Sequence, residues 1–422
     1  MEKATRPIES GVGNPALARL IAQRIGDRPF HRITFAEFMN LVLYHPLHGY
    51  YTGHQPNIGA QGDFVTSPHF GADFGELLAE QIAQMWHRLG HPSPFTVVEM
   101  GGGQGLLVRD ILQYLHRHYF ECFSALHYRV IEQSQTLVMA QQHRFAPIIE
   151  RFGNLQWTTW DDVPPDSIDG CYLSNELVDS FPVHRVILQD GDLREIYVTV
   201  EQPSVPPDQS NQDSSPLPRF VEVVGDLSTP KIQDYFDRVG INLMSGSYPD
   251  GYRTEVNLEA LDWMQTVSDR LHRGYVLTID YGYSAKQYYS PARSDGTLQC
   301  YYQQFHHDDP YQYVGLQDLT AHVDFTALQR QGDRCGLQTV GFTQQGLFLM
   351  ALGLGDRIAA LSNPDPALNW TINDILRRRE ALHALINPMG LGNFGVLIQS
   401  KGLSHEETSQ PLKGLNIPPL GV

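Results

Sequence analysis

Phe95-Thr-Val-Val-Glu-Met-Gly-Gly-Gly-Gln-Gly-Leu-Leu-Val108 reads as an apolar strand that runs into an acid, a glycine-dense turn and the start of an amphipathic helix. Glu99, Gly101, Gly103 and Gly105 give the spacing ExGxGxG. Glycine suits such a turn because the backbone needs unusual φ/ψ angles, and because a ligand must reach the main chain without meeting a Cβ. The spacing excludes two neighbouring loop types. A dinucleotide fingerprint GxGxxG counted from Gly101 needs glycine at position 106, where Leu106 stands. A P-loop needs Gly-Lys-Ser/Thr after four residues, and none follows. What remains is a nucleoside-binding loop of methyltransferase type, with S-adenosylmethionine rather than a pyrophosphate as the expected ligand.

Outward from this loop, strands and helices alternate. Strand 95–100 leads to helix 105–118, strand 127–132 to helix 134–145, and strands are expected at 155–160 and 169–175. Such alternation predicts an α/β fold with a parallel, doubly wound sheet. Segments 184–190, 194–200 and 219–224 read instead as antiparallel strands around a polar, proline-rich loop near 202–218. The α/β pattern resumes with helix 258–272 and strand Tyr275–Asp280, and it closes with the apolar run Asn393–Gln399. Upstream, residues 16–90 look helical, with Phe74, Leu77, Leu78, Ile82, Met85 and Trp86 on one stripe. The expected organisation is a helical N-terminal cap (1–92), a first part of the main domain (93–184), a β-rich insertion (185–255), a second part (256–402) and a loosely tethered tail (403–422).

Composition narrows the class. A chain of 422 residues can bury a large core. A net charge of −17 argues against nucleic-acid binding, which relies on a basic surface, and is compatible with a basic protein partner. Cys122, Cys171, Cys300 and Cys335 are widely separated and form no CxxC, as in a reduced protein. The N-terminus lacks an apolar core and contains acids, and no apolar run approaches the length of a membrane span. A cytoplasmic protein without membrane insertion is therefore expected. His306-His-Asp-Asp309 and His45-Pro-Leu-His48 are discounted as metal sites, because neither has a second ligand group. Tyr288-Tyr289 and Tyr301-Tyr302 are read as packing residues.

The chemistry is expected at strand ends. Glu132, 27 residues after Gly105 (132 − 105 = 27), ends the second strand and can accept both ribose hydroxyls of a nucleoside. Glu99 orients the glycine turn or reaches a water near the methionine part. Trp160 and Asp161, after the third strand, either stack on the adenine and bond its amino group or form an acidic turn beside a core tryptophan. After the fourth strand, Asn175 offers an amide while Glu176 and Asp179 offer two carboxylates three residues apart. Such a pair suits a guanidinium, which stays charged below a pKa of about 12 and must be held by bidentate bonds with one nitrogen aimed at the methyl carbon. The alternative has Asp179 capping the following segment and Glu176 exposed.

Further motifs carry a family resemblance from about residue 33 to 400. They are Phe35-Ala-Glu-Phe-Met-Asn-Leu-Val-Leu-Tyr-His-Pro-Leu-His-Gly-Tyr-Tyr51, Gly62-Asp-Phe-Val-Thr-Ser-Pro68, Phe74-Gly-Glu-Leu77, Ser174-Asn-Glu-Leu-Val-Asp-Ser-Phe-Pro-Val183, Asp280-Tyr-Gly282 and Asp318-Leu-Thr-Ala-His-Val-Asp-Phe325. Together they resemble the MidA-like family of class I S-adenosylmethionine-dependent methyltransferases, whose mitochondrial members are complex I assembly factors that methylate arginine. The resemblance implies a seven-stranded sheet and protein-arginine N-methylation, with a complex I-type subunit as the protein substrate. It also implies that Gly62, Asp63, Phe64 and Thr66 close over the cofactor from the N-terminal side. The chain departs from the family where His69 and His322 stand in place of acids, and where Gly102 and Gln104 stand in place of proline and arginine. Two other classes stay open: a small-molecule O- or N-methyltransferase, and an S-adenosylmethionine-binding assembly factor with little turnover. Oligomeric state is not legible.

Overall fold

A computed structural model describes residues 13–53, 66–201, 217–364 and 370–416. Gly62, Asp63 and Phe64, and nearly all of the proline-rich loop, lie outside these residues. The centre is a seven-stranded sheet of β1 (Phe95–Met100), β2 (Leu126–Ile131), β3 (Leu155–Thr158), β4 (Ile168–Asn175), β5 (Leu271–Asp280), β6 (Gln338–Gln344) and β7 (Gly395–Lys401). Its order is β6-β7-β5-β4-β1-β2-β3. The pairs from β5 through β3 are parallel, while β7 runs antiparallel to both β5 and β6. This is the doubly wound α/β sheet of class I methyltransferases.

Burial on both faces explains the strand sequences. All six residues of β1 are buried, and neighbouring side chains enter opposite cores. Val97 packs with helix α3 (Asp73–Arg88) and helix α4 (Leu106–His118), through Leu78, Ile82 and Ile111. Val98 packs on the other face with α6 (Leu258–Arg270), through Trp263 and Met264. Helix α5 (Gln135–Phe152) connects β2 to β3. The chain winds outward from β1 to β3 and then returns to place β4 on β1's other side. Ligands in such sheets bind beyond the carboxyl ends of the strands at this reversal, here between the loops after β1 and β4.

A second, five-stranded sheet joins the N-terminal cap to the insertion. Ile33–Thr34 pairs antiparallel with Asp192–Val200, which pairs in turn with His184–Gln189 and Phe220–Gly225. Helices α1 (Pro15–Gly26) and α2 (Phe35–Tyr44) share one apolar core with this layer, including Phe38, Val198, Phe220 and Leu319. The two segments therefore fold together.

Three expectations are corrected. Strand β3 stops at Thr158, because Trp160–Asp162 turns into a 3-10 helix whose Asp162 accepts from the Thr159 amide (3.0 Å) and hydroxyl (2.7 Å). Strand β6 has no counterpart among the expected strands, since this edge strand is mostly exposed and interrupted by an irregularity between Thr339 and Gly341. The tail is not loose through residue 416. Leu412 is buried, the Gly414 amide donates to Gln81 Oε1 (2.9 Å), and Lys413 Nζ meets Glu80 (3.1 Å) on α3.

Candidate active site

The glycine loop leaves β1 with Gly101 still in the ladder, its amide donating to the Ile131 carbonyl (2.9 Å). Gly103 and Gly105 take φ values of 52° and 73°, a region that disfavours any Cβ. Gly103 has open space where a Cβ would stand, whereas a Cβ on Gly105 would lie 2.3 Å from the Phe145 ring. One glycine thus exposes backbone and the other lets α5 approach. Helix α5 also holds the turn by hydrogen bonds: Gln141 Nε2 donates to the Gly103 carbonyl (2.7 Å), and Gln141 Oε1 accepts from Trp157 Nε1 (2.6 Å).

Beyond the loop lies a cavity of about 640 Å³, within the size range of small-molecule sites. Glu99, Gly101, Gly103, Glu132, Asn175, Glu176, Asp179 and Thr66 all line it. Gly105, Trp160 and Asp161 do not. Trp160 instead packs on Tyr172 (6.1 Å between centroids), and its carbonyl accepts from Arg270 Nε (3.1 Å). Asp161 is exposed. Of the two readings of this segment, the structure favours the turn beside a packed tryptophan.

Burial sets the electrostatics. Glu99 accepts from Tyr128 Oη (2.7 Å), and its pKa is pushed up to about 7 by burial, with the Glu132 charge adding to the effect. Glu132 accepts from the Ser134 amide (3.0 Å), and burial raises its pKa against the opposing backbone amides. Glu176 stands in the left-handed region (φ 52°), where a non-glycine residue is uncommon. Its Oε1 accepts from the Ser67 amide and Asn175 Nδ2, each at 3.0 Å. The turn is clasped from β5: Asp280 Oδ2 accepts from the amides of Leu177 (3.2 Å) and Val178 (2.9 Å).

Burial pushes Glu176 up to about 8, with the Asp179 charge reinforcing it, and Asp179 up to about 6. Asp280 is raised by burial and by the Asp179 and Glu176 charges. Of these, Glu176 and Asp179 line the cavity, so a cation bound there would favour their ionised forms. No lysine or arginine lines the cavity among the described residues. Burial lowers the pKa of His69, and that of His322 to about 4, so neither supplies positive charge at neutral pH.

Several cavity residues escaped the sequence reading. Tyr44, Tyr51, Tyr281 and Asp318 come from segments far apart in the chain, and Tyr301, read as packing, also lines the wall. Their signal lay in the motifs ending at Tyr51, beginning at Asp280 and beginning at Asp318. Those motifs marked importance without marking a role.

The site fits S-adenosylmethionine. An open backbone cradle at Gly103 and a carboxylate at Glu132, on the wall of one cavity, match a nucleoside with two ribose hydroxyls. Fold and site together define a class I methyltransferase. Residues 77–343 match the family described as S-adenosyl-L-methionine-dependent methyltransferase, and the chain belongs to that family. It is 29% identical over 373 residues to the protein arginine methyltransferase NDUFAF7 homolog, mitochondrial, of Drosophila melanogaster, covering 83% of this chain and 77% of that one. It is likewise 29% identical to protein arginine methyltransferase NDUFAF7, mitochondrial, of Bos taurus, covering 96% and 89%. A Burkholderia thailandensis protein crystallised with S-adenosyl-homocysteine superposes with a TM-score of 0.78 at 27% identity, covering 95% of this chain and 94% of that one. The relatives are named as mitochondrial proteins, which overturns the cytoplasmic expectation. Acids near the N-terminus were too weak a basis for it.

Proposed function

We propose that this S-adenosylmethionine-dependent methyltransferase methylates arginine side chains of a protein, with a subunit of a complex I-type respiratory enzyme as its substrate. One observation carries the reading: the acidic cavity, free of lysine and arginine among its described lining residues, in which Glu176 and Asp179 stand beside the glycine loop. The names of the relatives point the same way, and the complex I link rests on the family resemblance alone.

When bound, S-adenosylmethionine supplies an electrophilic methyl group on a sulfonium. Glu132 would hold its ribose hydroxyls, and Gly103 would admit it to the backbone. Glu176 and Asp179 grip the guanidinium by charge-assisted bonds and orient one nitrogen, while Asn175 fixes the Glu176 carboxylate. A guanidinium nitrogen methylated in this position would have a proton to give up to a neighbouring group of the chain. A bound guanidinium favours the ionised form of Glu176 against the burial that raises its pKa, and the ionised carboxylate would take that proton.

The test is incubation with isotopically labelled cofactor and whole-cell extract, followed by mass spectrometry. A labelled arginine in a discrete polypeptide supports the reading. Label in a metabolite, or cofactor binding without transfer, overturns it.

A further inference from the structure

The motif that ends helix α2 has no part in the cofactor loop or the Glu176 cluster, yet it reaches the same cavity. The chain turns back after Tyr44, with the Tyr50 amide donating to the Val42 carbonyl and the Tyr51 amide to the Leu43 carbonyl, both at 2.9 Å. The turn stacks the Tyr44 and Tyr51 rings, 5.5 Å apart with planes at 24°. Each phenol is tied to a different part of the site. Tyr44 Oη donates to the Ser180 carbonyl (3.0 Å) and lies 2.8 Å from Ser180 Oγ, directly after Asp179. Tyr51 Oη donates to Asp318 Oδ1 (2.6 Å). Asp318 is 2% exposed, and its strand leads to Ala321, whose amide donates to the Asp179 carbonyl (2.8 Å). Both phenols therefore feel the Asp318 and Asp179 charges, which add to burial in raising their pKa values.

We propose that Tyr44, Tyr51 and Asp318 form the acceptor subsite, which selects a guanidinium over an ammonium before methyl transfer. The inference rests on the arginine reading above. Carboxylates alone attract any cation. The two phenols, stacked on each other and both on the cavity wall, add a flat aromatic surface, because a guanidinium is planar and weakly hydrated and stacks on aromatic rings, whereas an ammonium is a compact, strongly hydrated point charge. The arginine stem would lie along the phenols, and Asp318, held in orientation by the Tyr51 hydroxyl, adds its charge to the cavity wall it shares with Asp179, which draws the guanidinium in. The N-terminal cap thereby reads the substrate.

The experiment measures binding apart from turnover. The full chain, saturated with S-adenosylhomocysteine, is titrated with N-acetylarginine amide and with N-acetyllysine amide by ligand-observed NMR. Wild type should prefer the arginine probe. Tyr51→Leu and Asp318→Asn should weaken that probe by roughly 5–20-fold, change the lysine probe by less than about 2-fold, and leave S-adenosylhomocysteine affinity by calorimetry unaltered. Tyr51→Phe keeps the ring, guards against misfolding of the larger truncation, and should fall between. An unchanged arginine probe in these variants, or parallel loss of both probes and cofactor, overturns the subsite while leaving a labelled arginine in extract to support the function. Selective binding of the arginine probe without arginine label in extract supports the subsite and overturns only the function.

Discussion

The Ser67 backbone amide donates to Glu176 Oε1 at 3.0 Å across 109 residues of sequence, so the segment before α3 fixes the carboxylate that follows β4. Glutamine keeps an oxygen for that bond and removes the charge. Burial holds the folded-state pKa of Glu176 near 8 against an ordinary 4.5, so its ionised form is disfavoured in the native protein. The stability cost is therefore absent at low pH and grows as pH rises from 4.5 through 8. Glu176→Gln should match wild type in Tm at pH 5 and exceed it by roughly 1–3 °C at pH 8.5. Its kcat should fall by about 100-fold, because a neutral amide neither grips the guanidinium nor takes its proton. Thermal melts at the two pH values and steady-state kinetics check both halves. A pH-independent Tm difference would contradict the origin assigned to the shift.

The same raised carboxylates set a pH dependence for substrate. On the proposed acceptor role, a guanidinium would bind the ionised forms of Asp179 and Glu176, whose pKa values burial raises to about 6 and about 8. Below these values, binding must first expel a proton. KM for an arginine peptide should fall as pH rises from 5.5 to 8.5, by up to about 10-fold per unit for each titrating group. Cofactor affinity, measured by calorimetry across the same range, separates this effect from the titration of Glu132 and Glu99. A flat KM profile would remove both carboxylates from the acceptor site.

Glu132 lines the cavity at the carboxyl end of β2 and is steadied by the Ser134 amide at 3.0 Å. Hydrogen bonds to a charged acceptor contribute about 1.5–3 kcal/mol each, so Glu132→Ala should weaken S-adenosylmethionine by roughly 10–150-fold. The loss should appear equally in S-adenosylhomocysteine, which shares the ribose. Calorimetric affinities within twofold of wild type would remove Glu132 from the ribose.

Most of the central sheet was legible because its strands are buried on both faces and flank a turn with few alternatives. Strand β6 was not, since Gln338-Thr-Val-Gly-Phe-Thr-Gln344 is an exposed edge that shows no apolar run. Nor was the two-residue strand Ile33–Thr34, whose identity depends on a partner at Tyr197 and Val198. The site divides in the same way. Glu132, Asn175, Glu176 and Asp179 sit at strand ends, where topology alone predicts a cavity. Tyr51 and Asp318 meet only because the chain folds back 267 residues later, and no local periodicity encodes that contact. Trp160 shows the converse: a residue at a suitable strand end was claimed by packing on Tyr172.

The glycine loop separates ligand approach from packing within three residues. Gly103 and Gly105 both have positive φ, so alanine at either position carries about 1–2 kcal/mol of backbone strain. Their surroundings differ. A Cβ at position 103 meets nothing within 4 Å, in a segment that lines the cavity. A Cβ at position 105 lies 2.3 Å from the Phe145 ring, which is 1% exposed and belongs to the main core. Gly105→Ala should lower Tm by roughly 3–6 °C through overpacking, with cofactor affinity following the folded fraction. Gly103→Ala should lower Tm by only about 1–3 °C, yet weaken S-adenosylmethionine by at least about 10-fold, because the methyl group occupies space the ligand needs. Phe145→Leu supplies the cross-check. Combined with Gly105→Ala it should cost less than the sum of the two single changes, since the smaller side chain relieves the overlap. Combined with Gly103→Ala it should be additive, because the two positions share no contact. Additivity in both pairs would show that strain alone, and not the approach of α5, explains the glycine at position 105.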